Sequence, residues 1–102
     1  MFAGVDEYCE TEMFRAVCSE KEVILMRTAQ YGRMKFGRCV ARDYGSVGCY
    51  TDVLHIAHRW CSGRRVCDIP VPNSAFRSTS PCPKDLKPYF EASFDCISGN
   101  IS

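Results

Sequence analysis

The chain has 102 residues with a net charge of +1, a size that fits one domain and leaves little room for a second hydrophobic core. The nearly balanced charge argues against a general nucleic-acid-binding protein, which needs a strong basic excess. No apolar run approaches the roughly 20 residues of a membrane-spanning helix. Residues 1–17 lack the apolar core of a signal peptide, so we expect the chain to be a segment of a longer protein.

The 8 cysteines are spread over the whole chain. An even number in a short chain is typical of an extracellular domain held together by disulfides. A zinc site is the alternative, because His55 and His58 lie near Cys61, but no two cysteines have the close spacing of a zinc-binding pair. We therefore predict four disulfides, an extracellular location, and neither a metal nor a cofactor.

In chain order, the first predicted elements are strands over residues 8–12, 14–18 and 22–30. The second strand places Phe14, Ala16 and Cys18 on one face. The third is almost continuously apolar at its start, which predicts burial on both faces there. Another short strand is predicted over residues 39–41, and the glycines of residues 42–48 indicate a loop.

A helix follows. Thr51 is the predicted N-cap, and Asp52 suits the positive end of the helix dipole. Helical spacing defines the predicted buried face, which consists of Val53, Ile56, Ala57 and Trp60. Three polar residues are expected to point outward or sideways: His55, His58 and Arg59. Cys61 ends the helix before Ser62 and Gly63.

The last predicted elements are two strands separated by a turn-rich segment over residues 73–83. Pro70 and Pro72 either restrict the strand over residues 66–71 to a sheet edge or end it. Residues 90–96 alternate between apolar and polar side chains, which predicts a half-buried strand. The predicted fold is therefore a β-rich α+β domain, a small antiparallel β-sandwich with one main helix and long disulfide-stapled loops.

Five motifs extend along the chain with the eight cysteines in register: Cys9-Glu10, Ala29-Gln30-Tyr31-Gly32-Arg33, Cys61-Ser62-Gly63-Arg64, Ser80-Pro81-Cys82 and Lys87-Pro88-Tyr89-Phe90. Together they resemble the sea-urchin-egg-lectin (SUEL) domain, also called the galactose- or rhamnose-binding lectin domain. The resemblance covers Cys9 to Cys96, so residues 1–102 are expected to form one such domain. The cysteine pairs that it implies are Cys9–Cys39, Cys18–Cys96, Cys49–Cys82 and Cys61–Cys67.

The resemblance also implies a ligand site formed by Glu10, Gln30, Tyr31, Arg33, Ser80 and Lys87. Glu10 and Lys87 keep the residue types of the family's sugar pocket. Gln30 stands where the family has asparagine, and Ser80 replaces an aspartate that would accept hydrogen bonds from sugar hydroxyls. Losing one charged hydrogen bond costs about 1.5–3 kcal/mol, which weakens the case for tight monosaccharide binding. The alternative for Tyr31 and Arg33 is a packed ring and a guanidinium that pairs locally.

We therefore predict an extracellular recognition module of a secreted or single-pass guidance or adhesion receptor. Its ligand would be a protein cue, a co-receptor or a sulfated glycan, and the receptor's membrane anchor would lie outside this segment. The Ser80-Pro81-Cys82 motif and its following loop resemble copies of the domain in neuronal guidance receptors. The alternative is a functional lectin that binds galactose or L-rhamnose. No nucleophile lies beside a base in a recognisable motif, so we do not expect an enzyme.

Two basic clusters could bind heparan sulfate or an acidic partner. The first consists of Arg27, Arg33, Lys35, Arg38 and Arg42, and the second of Arg59, Arg64 and Arg65. The alternative is a solvated surface that pairs internally. The sequence Asn100-Ile101-Ser102 is an N-glycosylation motif, which predicts a glycan on Asn100.

Overall fold

The computed structural model describes residues 6–40, 47–83 and 86–99. Within these ranges the chain forms six strands and two helices: β1 Asp6–Tyr8, β2 Met13–Val17, β3 Glu22–Arg33, β4 Cys49–Asp52, α1 Leu54–Cys61, β5 Val66–Pro70, α2 Ser74–Arg77 and β6 Tyr89–Ser98. All strand pairs are antiparallel. The predicted β-rich α+β class is confirmed. No helix in the described ranges is long and apolar enough to cross a membrane.

The strands form two sheets. One has four strands in the order β1-β6-β3-β4, and the other contains β2 and β5. The longest pairing joins β3 to β6 from Glu22 opposite Ser98 to Gly32 opposite Tyr89, with a bulge between Met26 and Thr28. This pair forms the centre of the larger sheet. The sheet of β2 and β5 confirms that the strand containing Pro70 lies at an edge.

The hydrophobic core lies between the two sheets and α1. Phe14 of β2 is fully buried, and its ring makes edge contacts with Tyr8 and Phe90 at centroid distances of 5.1 Å and 5.5 Å. Ala16 and Cys18 are buried beside it, so the face predicted for this strand is confirmed. The inward residues of β3 and β6 close the core from the other side.

β3 begins at the predicted residue but continues to Arg33, because β4 and β6 both pair with its last residues. The expected burial of both faces at its start is wrong. Ile24 and Met26 are buried, whereas Val23 and Leu25 are only half-buried on the outer face.

α1 begins at Leu54, so the prediction of Thr51 as its N-cap is wrong. Thr51 lies in β4 opposite Tyr31, and Val53 occupies the cap position without a side-chain hydrogen bond. The carboxylate of Asp52 instead accepts a hydrogen bond from the backbone N–H of Leu54 at 2.8 Å. The predicted inner face of the helix is confirmed, because Val53 and Ala57 are buried and Ile56 and Trp60 are half-buried. The three polar residues predicted to face away from the core are exposed.

Three other predicted boundaries change. Residues 9–12 form a turn rather than a strand, closed by a hydrogen bond from the N–H of Glu12 to the carbonyl of Cys9. Cys39 and Val40 lie outside any strand, because this loop folds back onto β1 and β6, while Ala41 is not among the described residues. The segment 73–83 contains α2. Ser93 of β6, expected on the polar face, is buried, and a hydrogen bond with the hydroxyl of Thr28 at 2.7 Å satisfies its own hydroxyl.

Four disulfides join the elements, and they are the pairs that the family resemblance implies: Cys9–Cys39, Cys18–Cys96, Cys49–Cys82 and Cys61–Cys67. All eight cysteines lie in described ranges and none is free. Cys61 is therefore oxidised and cannot bind zinc as a thiolate, so the alternative of a zinc site at His55, His58 and Cys61 is wrong. The same reason excludes a metal site at Cys9, Glu12 and Cys39, whose ligand atoms also lie close together.

Candidate functional site

A pocket of about 630 Å³ opens at the end of the molecule where β6 begins. Its walls are formed by the turn after β1, the last residues of β3, the loop around α2 and the residues before β6. The lining residues are Glu10, Thr11, Tyr31, Pro72, Arg77, Ser80, Pro81, Cys82, Pro83, Leu86, Lys87 and Pro88. A concave site with an apolar lining and a few polar groups is typical of ligand pockets.

Tyr31 forms part of the pocket wall from the inner face of β3. Its side chain is almost fully buried, and its ring packs on Phe76 with the centroids 5.3 Å apart. Burial raises the pKa of Tyr31; Glu10 raises it further and Arg77 opposes the shift. The phenol is therefore neutral at physiological pH, and its hydroxyl can both donate and accept hydrogen bonds.

The turn of residues 9–12 positions Glu10 at the pocket. The carboxylate of Glu12 accepts a hydrogen bond from the N–H of Cys9 at 2.7 Å and forms an ion pair with Arg38, also at 2.7 Å. The hydrogen bond from Arg38 is the largest cause that lowers the pKa of Glu12 to about 2. The Cys9–Cys39 disulfide attaches the same turn to the loop that contains Arg38. Glu10 thus projects from a turn fixed on both sides.

α2 and the residues after it supply Arg77 and Ser80. Asn73 caps this short helix, since its side-chain oxygen accepts a hydrogen bond from the N–H of Phe76 at 2.8 Å. Ser80 adopts a left-handed conformation with φ of 44°, and its hydroxyl donates to the carbonyl of Arg77 at 3.2 Å. The Cys49–Cys82 disulfide fastens the segment to β4. One covalent bond and one cap therefore hold this wall in place.

Arg33 does not line the pocket but holds the backbone of a residue that does. Its side chain is only 5% exposed, and its guanidinium donates a hydrogen bond to the backbone carbonyl of Lys87 at 3.2 Å. Lys87 itself is exposed and lines the pocket. Behind it, the buried hydroxyl of Tyr89 bonds the backbone N–H and carbonyl of Lys35 at 3.0 and 3.2 Å, and burial raises its pKa. These bonds fix the backbone from which Lys87 projects.

Of the six residues suggested by the sequence, the structure brings four together around the pocket: Glu10, Tyr31, Ser80 and Lys87. Gln30 and Arg33 do not line it. Gln30 lies in register with Glu91 and Asp52 on neighbouring strands, one position before Tyr31.

Arg77 and the four prolines of the lining were not suggested by the sequence analysis. Asn73 is a residue type favoured at helix N-caps, and it precedes the apolar Phe76 by three residues. This pattern could have indicated α2 and, with it, the position of Arg77.

The first basic cluster is largely paired within the protein. Arg27 bonds Asp95, Lys35 lies 3.5 Å from Glu91, and Arg38 pairs with Glu12. Arg33 is buried, and Arg42 lies outside the described residues. The internally paired alternative therefore fits this cluster.

The second cluster is exposed near the end of α1. Arg64 and Arg65 donate hydrogen bonds to the backbone carbonyls of Trp60 and Cys18, at 3.3 and 3.2 Å. No ion pair is formed by Arg59, Arg64 or Arg65 within the described ranges. These three arginines are therefore less engaged by carboxylates than the described members of the first cluster. The predicted glycosylation site, Asn100, is not among the described residues.

Comparison with known proteins gives a consistent result. Residues 16–96 match the family model of the D-galactoside/L-rhamnose binding SUEL lectin domain. Adhesion G protein-coupled receptor L1 of Homo sapiens is 32% identical over 92 residues, covering 87% of this chain and 6% of the receptor. Protein eva-1 homolog C of Mus musculus is 30% identical, and the match covers 91% of this chain and 22% of that protein. Latrophilin Cirl of Drosophila mojavensis is 32% identical, and the match covers 88% of this chain and 5% of that protein. The chain thus spans a small part of each relative.

Proposed function

Because the chain belongs to the D-galactoside/L-rhamnose binding SUEL lectin domain family, we propose that it is the recognition module of a guidance or adhesion receptor and binds a glycan, free or carried by a protein partner, in the pocket beside β6. The family and the disulfides place the domain outside the cell, in an oxidising environment. The receptor names of the relatives support an adhesion role rather than catalysis.

The observation that carries this proposal is the convergence of Glu10, Tyr31, Ser80 and Lys87 around one pocket. These residues come from three separate parts of the sequence, with Ser80 and Lys87 in the same part, and the fold brings them together. A saccharide needs such a group, because each hydroxyl that loses water must find a new donor or acceptor. Glu10 supplies an acceptor, Lys87 supplies donors, and the neutral phenol of Tyr31 can supply either.

The family resemblance implies an aspartate at position 80, where this chain has Ser80. The hydroxyl of Ser80 is already used as a donor to Arg77, and its side chain carries no charge. This difference should weaken the binding of neutral galactose or rhamnose by roughly tenfold or more relative to a pocket that keeps the aspartate. Galactose and L-rhamnose remain candidate ligands, supported by the retained Glu10 and Lys87.

The experiment is a glycan array probed with the oxidised domain and two variants. The array includes rhamnose, galactosides, acidic saccharides and heparan sulfate fragments. Lys87→Ala removes a pocket cation, whereas Arg59→Ala removes an exposed cation of the second basic cluster on α1. We expect Lys87→Ala to abolish the signal and Arg59→Ala to preserve it. A signal confined to heparan sulfate that only Arg59→Ala removes would contradict the pocket and assign binding to the second cluster.

A second candidate function is the docking of a protein cue on the outer face of the β2–β5 sheet. Met13 and Val17 are about half exposed there, and Met13 lies opposite Pro70. Between them, Arg15 forms an ion pair with Asp68 at 3.1 Å. If a cue binds this face, Met13→Glu should abolish binding while Lys87→Ala has no effect, and a biosensor assay with each candidate cue measures both.

A further inference from the structure

Two cations of the pocket differ from the basic residues of the protein that form ion pairs. Arg77 on α2 and Lys87 before β6 both line the pocket. Within the described ranges neither side chain forms an ion pair or donates a hydrogen bond, whereas Arg15, Arg27, Lys35 and Arg38 are all paired with carboxylates. The positive charges that face the pocket are thus left for a ligand.

The described lining contains only one carboxylate to oppose these two cations. That carboxylate is Glu10, which lies near enough to Tyr31 to raise its pKa, as Arg77 lies near enough to lower it. Because a partly enclosed pocket screens charge less than open water does, the remaining positive charge favours an anionic ligand. Ser80, where an acidic residue would have neutralised the pocket, adds no negative charge.

The rest of the lining is suited to a ring rather than to a flexible chain. Pro72 and Pro88 provide rigid apolar surfaces, and Tyr31 contributes an aromatic ring held in place by Phe76. Rigid walls of this kind pack against the apolar face of a sugar and lose little conformational freedom when they do so. The pocket therefore combines an apolar platform with two cations at its rim.

From this arrangement we propose that the pocket selects a saccharide carrying an anionic substituent, a carboxylate or a sulfate on the sugar ring, and that Arg77 and Lys87 bind this group. The inference rests on the proposed function, since it specifies the ligand of the same pocket. Glu10 and the hydroxyl of Tyr31 then bind the ring hydroxyls. Charge-assisted hydrogen bonds from the two cations should make the anionic sugar at least about tenfold tighter than its neutral counterpart.

The test compares three methyl glycosides that differ only at carbon 6 of the sugar: galactoside, galacturonide and galactoside 6-sulfate. Each is titrated into the isotope-labelled oxidised domain, and dissociation constants are obtained from the shifts of pocket amides. Arg77→Gln removes a pocket cation, and the matched control Arg59→Gln removes an exposed arginine of α1 outside the pocket. Both positions are exposed, so neither change should disturb folding.

We expect one or both anionic glycosides to bind at least about tenfold more tightly than the neutral one, with added salt reducing the difference. Arg77→Gln should reduce the preference to less than about threefold and Arg59→Gln should leave it unchanged. Binding of the galacturonide alone would identify a carboxylate as the ligand group, and binding of the 6-sulfate alone would identify a sulfate.

Two outcomes would overturn the inference in different ways. Equal affinity for all three glycosides would remove the anionic selectivity and leave the pocket as a general glycan site, and an equal effect of Arg77→Gln and Arg59→Gln would show that Arg77 does not bind the anionic group. If no glycoside shifted the pocket amides while a saccharide on the array still bound elsewhere, the proposed function of the pocket would fail as well.

Discussion

Gly32 occupies a position in β3 where no other residue fits. Its φ is +141°, and a Cβ added there would lie 2.3 Å from the carbonyl oxygen of Cys49 and 2.6 Å from the Cα of Tyr50. Both contacts are with backbone, which cannot move aside as a side chain can. The glycine therefore lets β4 pair closely with β3 at the point where Tyr31 and Arg33 support the pocket.

We predict that Gly32→Ala destabilises the domain by about 2–4 kcal/mol, from backbone strain and the clash with β4 together. The matched control is Gly63→Ala, because Gly63 also has positive φ, +90°, but a Cβ at that position would have nothing within 4 Å of it. That variant should lose only about 1 kcal/mol. Urea unfolding of the oxidised proteins measures both values, and equal losses would show that the close approach to β4 is unimportant.

Glu12 should make the stability of the domain depend on pH. Its pKa falls from 4.5 to about 2 in the folded protein, first because Arg38 donates hydrogen bonds to it. A lowered pKa stabilises the folded state above about pH 4.5, and this contribution is lost as the pH falls towards 2. Thermal unfolding should therefore show a lower Tm for Glu12→Gln than for the native protein near neutral pH, with the difference closing in acid.

The control for Glu12 is Glu20→Gln, which changes an exposed glutamate that forms no ion pair within the described ranges. Its Tm should follow that of the native protein at every pH. A constant Tm difference for Glu12→Gln between neutral pH and about pH 2 would mean that the ion pair with Arg38 does not contribute.

Single residues also show how far the site could be predicted from the sequence. The motif groups Gln30 with Tyr31, yet adjacent residues of a strand point to opposite faces, and only Tyr31 lines the pocket. That separation could have been predicted once β3 was identified. The burial of Arg33 could not, because it depends on a carbonyl acceptor 54 residues away, at Lys87.

At the scale of elements, α2 connects the core to the pocket. Phe76 is fully buried and stacks on Phe90 and Trp60 at centroid distances of 4.9 and 5.7 Å, while the next residue, Arg77, lines the pocket. The helix has only four residues and cannot be stable by itself. Its N-cap and its buried aromatic ring must therefore hold it in place.

We predict that Asn73→Ala destabilises the domain by about 1–2 kcal/mol. The change removes the acceptor for the N–H of Phe76 and the donor to the carbonyl of Pro70, each at 2.8 Å. Asn73→Asp keeps the acceptor and loses only the donor, so it should cost less. Urea unfolding measures both variants. The hypothesis fails if aspartate is as damaging as alanine, since the cap would then be irrelevant.

The buried faces of β2 and α1 were predictable because each element repeats its period at least twice. The faces of β2 and α1 follow the sequence pattern, with Phe14 and Ala57 fully buried as expected. α2 was missed because one helical turn is too short to show a period, and its surroundings are rich in turn-forming residues. The boundary of α1 was placed too early because residues 49–52 pair with β3, a long-range contact that local sequence does not encode.

At the scale of the whole molecule, the disulfides constrain the chain to different extents. Cys18 and Cys96 are 78 residues apart in sequence and link β2 to β6, whereas Cys61 and Cys67 are 6 apart. Cross-linking restricts the unfolded chain more when the closed loop is longer. β3 begins four residues after Cys18 and pairs with β6, where Ile24 lies opposite Cys96, and this pairing brings the two cysteines near each other.

We predict that replacing Cys18 and Cys96 by alanine costs roughly 4–5 kcal/mol and that replacing Cys61 and Cys67 costs roughly 2 kcal/mol. Cys61 and Cys67 are both buried, whereas Cys96 is only half-buried, so a loss of packing alone would not make the Cys18–Cys96 variant the less stable one. The free energies of unfolding are measured in urea on the oxidised proteins. Equal losses would mean that loop entropy is not the main source of the stabilisation.

The course of β6 determines how the domain is presented to a ligand. The strand begins beside Lys87 and Pro88 at the pocket and runs for 10 residues to Ser98, roughly 33 Å away, in a molecule whose longest extent is 48 Å. A tether joined after Ser98 would therefore leave from the pole opposite the pocket. If the domain were immobilised on a sensor surface through that end, its pocket would face the solution. The length of β6 would separate the pocket from the surface.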